Sequence, residues 1–172
     1  MKRNYKILLV VVIAIILAGA GYFIYKEYNI SKVEFYLNSS LNHQKAANES
    51  INQATTLENN NDYSNAIKTL QKSSDEISNA LVDDNNAVPL AEGVYSDYLN
   101  NDIALLQSAS KLIEYKIYVD HYKNNDLNPG QEKVDPNKLY PFMNNLQNDI
   151  SAYKDKENQI ISDNPQEFNF LK

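Results

Sequence analysis

Ile7–Tyr25 reads ILLVVVIAIILAGAGYFIY, and Ile30–Leu57, ISKVEFYLNSSLNHQKAANESINQATTL, follows it after only Lys26-Glu27-Tyr28-Asn29. The first stretch carries no charge over 19 residues. At a helical rise of about 1.5 Å per residue it is about 28 Å long, close to the thickness of a bilayer core. In the second, Ile30, Val33, Leu37, Ala47, Ile51 and Ala54 recur every three or four residues, with polar Ser40 and Gln44 in the slots between Leu37 and Ala47. That period is a helical stripe. Together the two stretches predict one rod: a membrane helix running straight into the first helix of an all-α domain.

The flanks give the rod a direction. Lys2, Arg3 and Lys6 precede the apolar run with no acid among them, whereas Lys26 and Lys32 alternate with Glu27 and Glu34 after it. Excess basic residues stay on the cytoplasmic side. The reading is therefore a cytoplasmic tail (1–6), a transmembrane anchor (7–25), an exported helical bundle (26–164) and a C-terminal tail (165–172), in the cell membrane as a single-pass protein. Tyr22, Tyr25 and Tyr28 suit the outer interface and Tyr5 the inner one. The competing reading is a secretory signal peptide cut at Ala18-Gly19-Ala20. The apolar run continues through Tyr22-Phe23-Ile24-Tyr25, which favours a retained anchor. Ala14, Ala18 and Gly21 give one face small residues, the kind that lets two membrane helices approach closely.

Residues 26–172 hold 13 Lys/Arg against 22 Asp/Glu, a net charge of −9. That acidity argues against nucleic acid, whose phosphates require a basic surface. The chain has no cysteine, so disulfides, thiolate metal sites and lipoprotein attachment are excluded.

Three further helical stripes follow the first. Asn59-Asn60-Asn61 ends the first helix, and Asp62 caps a second carrying Tyr63, Ala66, Ile67, Leu70, Ile77, Ala80 and Leu81. Asp83-Asp84-Asn85-Asn86 and Pro89 predict the next break. A third helix runs from Leu90 or Ser96 to Lys123 and should be the most central. Asn124–Asp135 reads as a loop, and Asp135-Pro136 as a cap with proline at the first helical position. Pro141 predicts an irregular start to a fourth helix, whose stripe is Phe142, Met143, Leu146, Ile150, Tyr153 and Ile160, ending near Asn164-Pro165. No stretch alternates with the period of a strand. Short connections favour antiparallel neighbours, hence an antiparallel helical bundle of about four helices.

Asn61-Asp62-Tyr63-Ser64-Asn65-Ala66-Ile67-Lys68-Thr69-Leu70 resembles the turn and helix start of a tetratricopeptide repeat. Such repeats stack helix pairs into a concave, peptide-binding surface. The resemblance covers one helix, with no second copy at that period.

Chemistry is sparse. The residues three before His43 and His121 are Ser40 and Tyr118, so the Glu-x-x-His pattern of di-iron bundles is absent. The two histidines read as ordinary, partly exposed polar residues. The stretch from Asp126 departs from an EF-hand at Gly130, Gln131 and Asn137. There is no activated nucleophile pattern and no glycine-rich phosphate loop. The pairs Asp75/Glu76, Asp83/Asp84 and Asp155/Glu157 read as solvated carboxylates with ordinary pKa values. No catalytic, metal or cofactor-binding residue is expected, and the chain is expected not to be an enzyme.

Asn29, Asn38 and Asn48 head Asn-x-Ser sequons, physically open to glycosylation on the exported side. Tyr95, Tyr98, Tyr115, Tyr118 and Tyr122 cluster on the third helix as a possible interaction surface, since tyrosine supplies rigid area with a polar tip. The expectation is a membrane-anchored extracytoplasmic module with a structural or protein-interaction role, its partner another envelope protein or itself. The alternatives are a ligand-sensing ectodomain or a tetratricopeptide-like peptide binder. With six residues ahead of the apolar run, a sensor would need a separate partner to carry its signal.

Overall fold

In the computed structural model, residues 2–127 and 133–171 are described, with the backbone alone described for 2–16. The apolar and small-residue stripes become α1 (Lys2–Asn59), α2 (Tyr63–Ala87), α3 (Val94–Asn124) and α4 (Pro136–Asp163), with 3-10 turns at Val88–Leu90 and Asn169–Leu171. There is no strand among the described residues. The chain is all-α.

α1 is 58 residues without interruption, about 87 Å of rod. It ends as its asparagines predict. Asn61 turns left-handed at φ 59°, and the Asp62 N–H returns to the Leu57 carbonyl at 2.9 Å, closing orphan carbonyls of the last turn. Asp62 then starts α2, accepting from the Asn65 N–H at 3.3 Å and the Asn65 side-chain amide at 2.8 Å. The break expected at Asp83–Asn86 does not occur there. α2 runs on to Ala87 because Ala80, Asp84 and Ala87 continue its buried stripe, and Pro89 then stops it. Gly93 turns the chain at φ +56°, a region costly for a side chain, and α3 begins at Val94. α4 starts at Pro136, with Asp135 accepting from the Asn137 N–H at 3.0 Å. It continues through Pro141 without a separate turn, since a proline in the second turn removes a single hydrogen bond.

Each helix packs antiparallel on its neighbour in sequence: α1 on α2, α2 on α3, α3 on α4. α1 and α4 do not pack along each other, so the array stays open on that side. α1 and α3 both lie on α2, run parallel, and reach one another through long side chains. Examples are Gln44 to Asp102 and Lys116 to Glu58. α2 and α3, at 25 and 31 residues, are each too long for a 34-residue unit of two helices.

The core has two apolar layers. One contains Leu70, Ile77, Leu105, Leu106 and Ile113, over Ala47, Ala54 and Ala80. The other contains Val33, Leu37, Tyr95, Tyr98, Leu99 and Phe168. The second layer corrects the expectation of a tail after residue 164. Phe168 returns to the bundle, 1% exposed, with its ring centroid 5.4 Å from Tyr95 and 5.1 Å from Tyr98. An aromatic residue gains too much by burial there to remain in solvent.

At the other extreme, Leu17, Tyr22, Phe23, Ile24, Tyr25 and Tyr28 are each more than half exposed on α1. Among the described residues no helix is long and apolar enough to cross a membrane. The expected span Ile7–Tyr25 lies in part outside them, since the side chains of its first ten residues are not described.

Phe168→Ala should cost about 3–5 kcal/mol, as for other fully buried aromatics, and chemical denaturation of the full chain measures it. A loss under about 1 kcal/mol would mean the C-terminal segment does not belong to the core.

Candidate functional site

Between the two apolar layers lies a polar one, and all four helices contribute to it. α1 supplies Ser40 and Gln44, α2 Asp84, α3 Asn101 and Asp102, and α4 Glu157. Ser40, Asp84 and Asp102 are fully buried, Asn101 is 3% exposed and Glu157 9%. Each occupies a core position of its own helix, so the polar layer is built by register and not by a loop.

Asp102 is its centre. Its two oxygens accept from the Gln44 amide at 3.0 and 2.9 Å. Asn101 donates to the Tyr153 carbonyl at 2.8 Å and to Glu157 Oε1 at 3.2 Å. Neither Asp84 oxygen makes a hydrogen bond of ordinary geometry, and the donor beside it is the Ser40 hydroxyl. No lysine or arginine pairs with any of the three acids among the described residues. Three buried negative charges with no counter-charge would cost several kcal/mol each, so protons take the place of cations.

Burial, then the Asp102 charge, pushes Asp84 up to about 8, against the Ser40 hydroxyl, which favours the ionised form. Burial and Asp102 likewise push Glu157 up to about 8, against hydrogen bonding from Asn101 and the Lys154 charge. Asp102 is raised by burial to about 6, held down by hydrogen bonds from Gln44, Asp84 and Glu157. Near pH 7 the layer is thus one carboxylate accepting from an amide and from two neutral carboxyl groups. Burial, with the nearby acids, drives the Tyr98 phenol far above its ordinary value. This corrects the reading of Asp84 and Glu157 as solvated, for both lie on buried faces. Asp75 and Asp155 are exposed.

A second buried acid, Asp120, is raised by burial and the Glu58 charge to about 6, against Lys123 and Lys116. Lys116 sits 3.1 Å from Glu58.

The tyrosines expected as one surface are dispersed. Tyr95 and Tyr98 are core residues, which corrects their assignment to a contact patch. The Tyr95 hydroxyl donates to the Glu167 carbonyl at 2.7 Å and lies 3.2 Å from Glu34, fastening the C-terminal segment to α3 and α1. Tyr118 clamps the approach to α4, donating to the Val134 carbonyl at 3.2 Å and accepting from its N–H at 2.6 Å. Tyr115 is half-buried and Tyr122 is 39% exposed. Five tyrosines over 28 residues cannot share one face of a helix, and those facing the core are taken by it.

The histidines do not converge. His43 Nδ1 is 2.6 Å from Glu76 and its Nε2 3.8 Å from Asp83, while His121 pairs with Asp126 at 2.9 Å. Among the described residues no three His, Cys, Asp or Glu side chains are arranged to hold a metal ion. Part of the loop compared with an EF-hand, residues 128–132, lies outside the described residues. The sequon residues Asn38 and Asn48 are exposed on α1 and Asn29 is half-buried.

The open side of the array forms a groove of about 190 Å³. Its floor is apolar, with Ile51, Leu105, Leu112 and Ile150, and Gln44, Lys116, Gln147 and Lys154 stand at its edge. The polar layer adjoins it, because Gln44 belongs to both.

No family model, curated protein or solved structure matches this chain.

The acid layer makes stability depend on pH. Asp84 and Glu157 bind a proton more tightly folded than unfolded. Their contribution is complete below the unfolded values near 4 and is lost as pH rises through about 8. Thermal unfolding should show a Tm at least ~5 °C higher at pH 5.5 than at pH 8.5. Asp84→Asn with Glu157→Gln should flatten that dependence, and an unchanged slope in the double variant would show that the layer does not hold these protons.

Proposed function

We infer that this chain is a membrane-anchored, extracytoplasmic helical module that holds its bundle against the membrane surface and acts by contact, without catalysis. The observation that carries this is α1. One helix forms the apolar run and the first wall of the bundle, and its large side chains from Leu17 to Tyr28 stand exposed with no helix packed over them. An apolar stretch of that size does not remain in water. The basic flank of Lys2, Arg3 and Lys6 supports a bundle on the outer side. The core acids support a scaffolding role, since they are buried and occupied with one another, and none of them lines the groove.

A second reading, a ligand-binding ectodomain, is favoured by one specific observation: the groove between α1, α3 and α4. Apolar pockets edged by a few polar groups are where helical bundles hold small molecules.

Alkaline extraction of native membranes tests the anchor. The protein should stay in the membrane pellet with Met1–Tyr25 still attached by mass, and protease added outside should digest residues 26–172 from intact cells. Release into the soluble fraction, or a mature chain beginning at Gly21, would overturn the anchored reading.

A further inference from the structure

The groove differs in charge from the chain as a whole. The chain carries 22 acidic against 16 basic residues, yet the groove is lined by two lysines and no acid. Lys154 makes no ion pair within 4 Å among the described residues, while Lys116 is already held by Glu58 at 3.1 Å. The Gln44 amide is committed to Asp102. The cation left to meet an incoming group is therefore Lys154, with the amides of Asn48 and Gln147 beside it.

The floor limits the rest of the ligand. Ile51, Leu105, Ala109, Leu112 and Ile150 offer no hydrogen bond from their side chains, so a sugar or a nucleotide laid there would lose its water without replacement. A wholly neutral hydrocarbon would satisfy the floor and leave the lysine unused. At about 190 Å³ the space is smaller than a drug-sized pocket of ~300 Å³ or more, which selects a short, slender tail. One apolar tail ending in one anion meets each of these conditions.

We propose that the groove between α1, α3 and α4 binds a short-tailed anionic amphiphile, a medium-chain carboxylate, with its tail on Leu105, Ala109, Leu112 and Ile150 and its head at Lys154. This names the ligand for the second reading above and does not depend on the anchor. The bundle's place beside a membrane would put it where such amphiphiles concentrate.

Site-resolved photolabelling tests it. The full chain in lipid nanodiscs is irradiated with a diazirine-bearing decanoate, and the labelled peptides are mapped by mass spectrometry, which separates groove labelling from labelling of α1 in the lipid. Label should fall on the peptides carrying Ile51, Leu112 and Ile150, and excess decanoate should remove it while decanol and decyltrimethylammonium do not. Lys154→Gln should raise the decanoate needed for competition about tenfold, the effect of losing one charge-assisted contact. Ala109→Trp fills the groove and should abolish the label there with helix content by circular dichroism unchanged. Competition by decanol equal to that by decanoate, or an unaltered Lys154→Gln, overturns the anionic ligand while leaving the groove a binding site. Absence of any groove label overturns the ligand-binding reading with it.

Discussion

The buried Asp102 carboxylate is the constraint that the rest of the fold answers to. It cannot be ionised inside a helical core unless donors surround it, and each donor comes from a different helix: Gln44 from α1, Asp84 from α2 and Glu157 from α4. A helix shifted by one residue would carry its donor about 100° around the axis and leave the carboxylate unpaired. Apolar layers tolerate such sliding far better, because leucine and isoleucine pack acceptably in several registers. The polar layer therefore acts as a register pin between two apolar layers that would otherwise be free to slip.

That arrangement costs stability in exchange for uniqueness. Keeping Asp84 protonated at pH 7, against an ordinary value of 3.8, takes about 4 kcal/mol. Ionising it without a partner would cost at least as much. Well-packed apolar residues at these positions would avoid both terms, as replacements of buried polar clusters in other proteins do. The layer fixes α4 as well. α4 packs on α3 alone, and Glu157 with the Asn101 link to the Tyr153 carbonyl joins it to the layer shared by all four helices.

Much of this was legible in the sequence, and the unread part has a definite cause. The caps at Asp62 and Asp135, the asparagine turn at 59–61 and the four stripes are local signals, set by hydrogen bonds and spacing within a few residues. Ser40 and Gln44 stood in core slots of α1, a visible sign that its stripe was interrupted by something polar. Asp84 and Glu157 lay four residues beyond Ala80 and Tyr153, equally in register. They read as solvated because a carboxylate is ordinarily exposed, and the groups that bury each of them sit on other helices. Phe168 was hidden for the same reason, since its partners Tyr95 and Tyr98 lie some seventy residues earlier. The third helix's tyrosines, counted as a cluster, needed the packing of α4 and the C-terminal segment to be divided between core and surface.

One element joins the separate parts. α1 carries the apolar run at one end, donates Gln44 to Asp102 in the middle, and lines the groove with Asn48 and Ile51 just beyond. A helix that is continuous from Lys2 to Asn59 does not kink sharply between these positions without disrupting its own hydrogen bonds. A force or rotation applied in the apolar segment would thus pass the layer of Val33 and Leu37 and then the polar layer, where three donors surround one carboxylate. The groove lies on the far side of that layer, bounded by α1 and α4, the two helices not packed on each other. Its width depends on the relative placement of those two helices, which are linked through the polar layer and through the apolar layer where Val33 and Leu37 meet Phe168, with Ile160 packed against it. The acid layer accordingly lies between the apolar run of α1 and the groove.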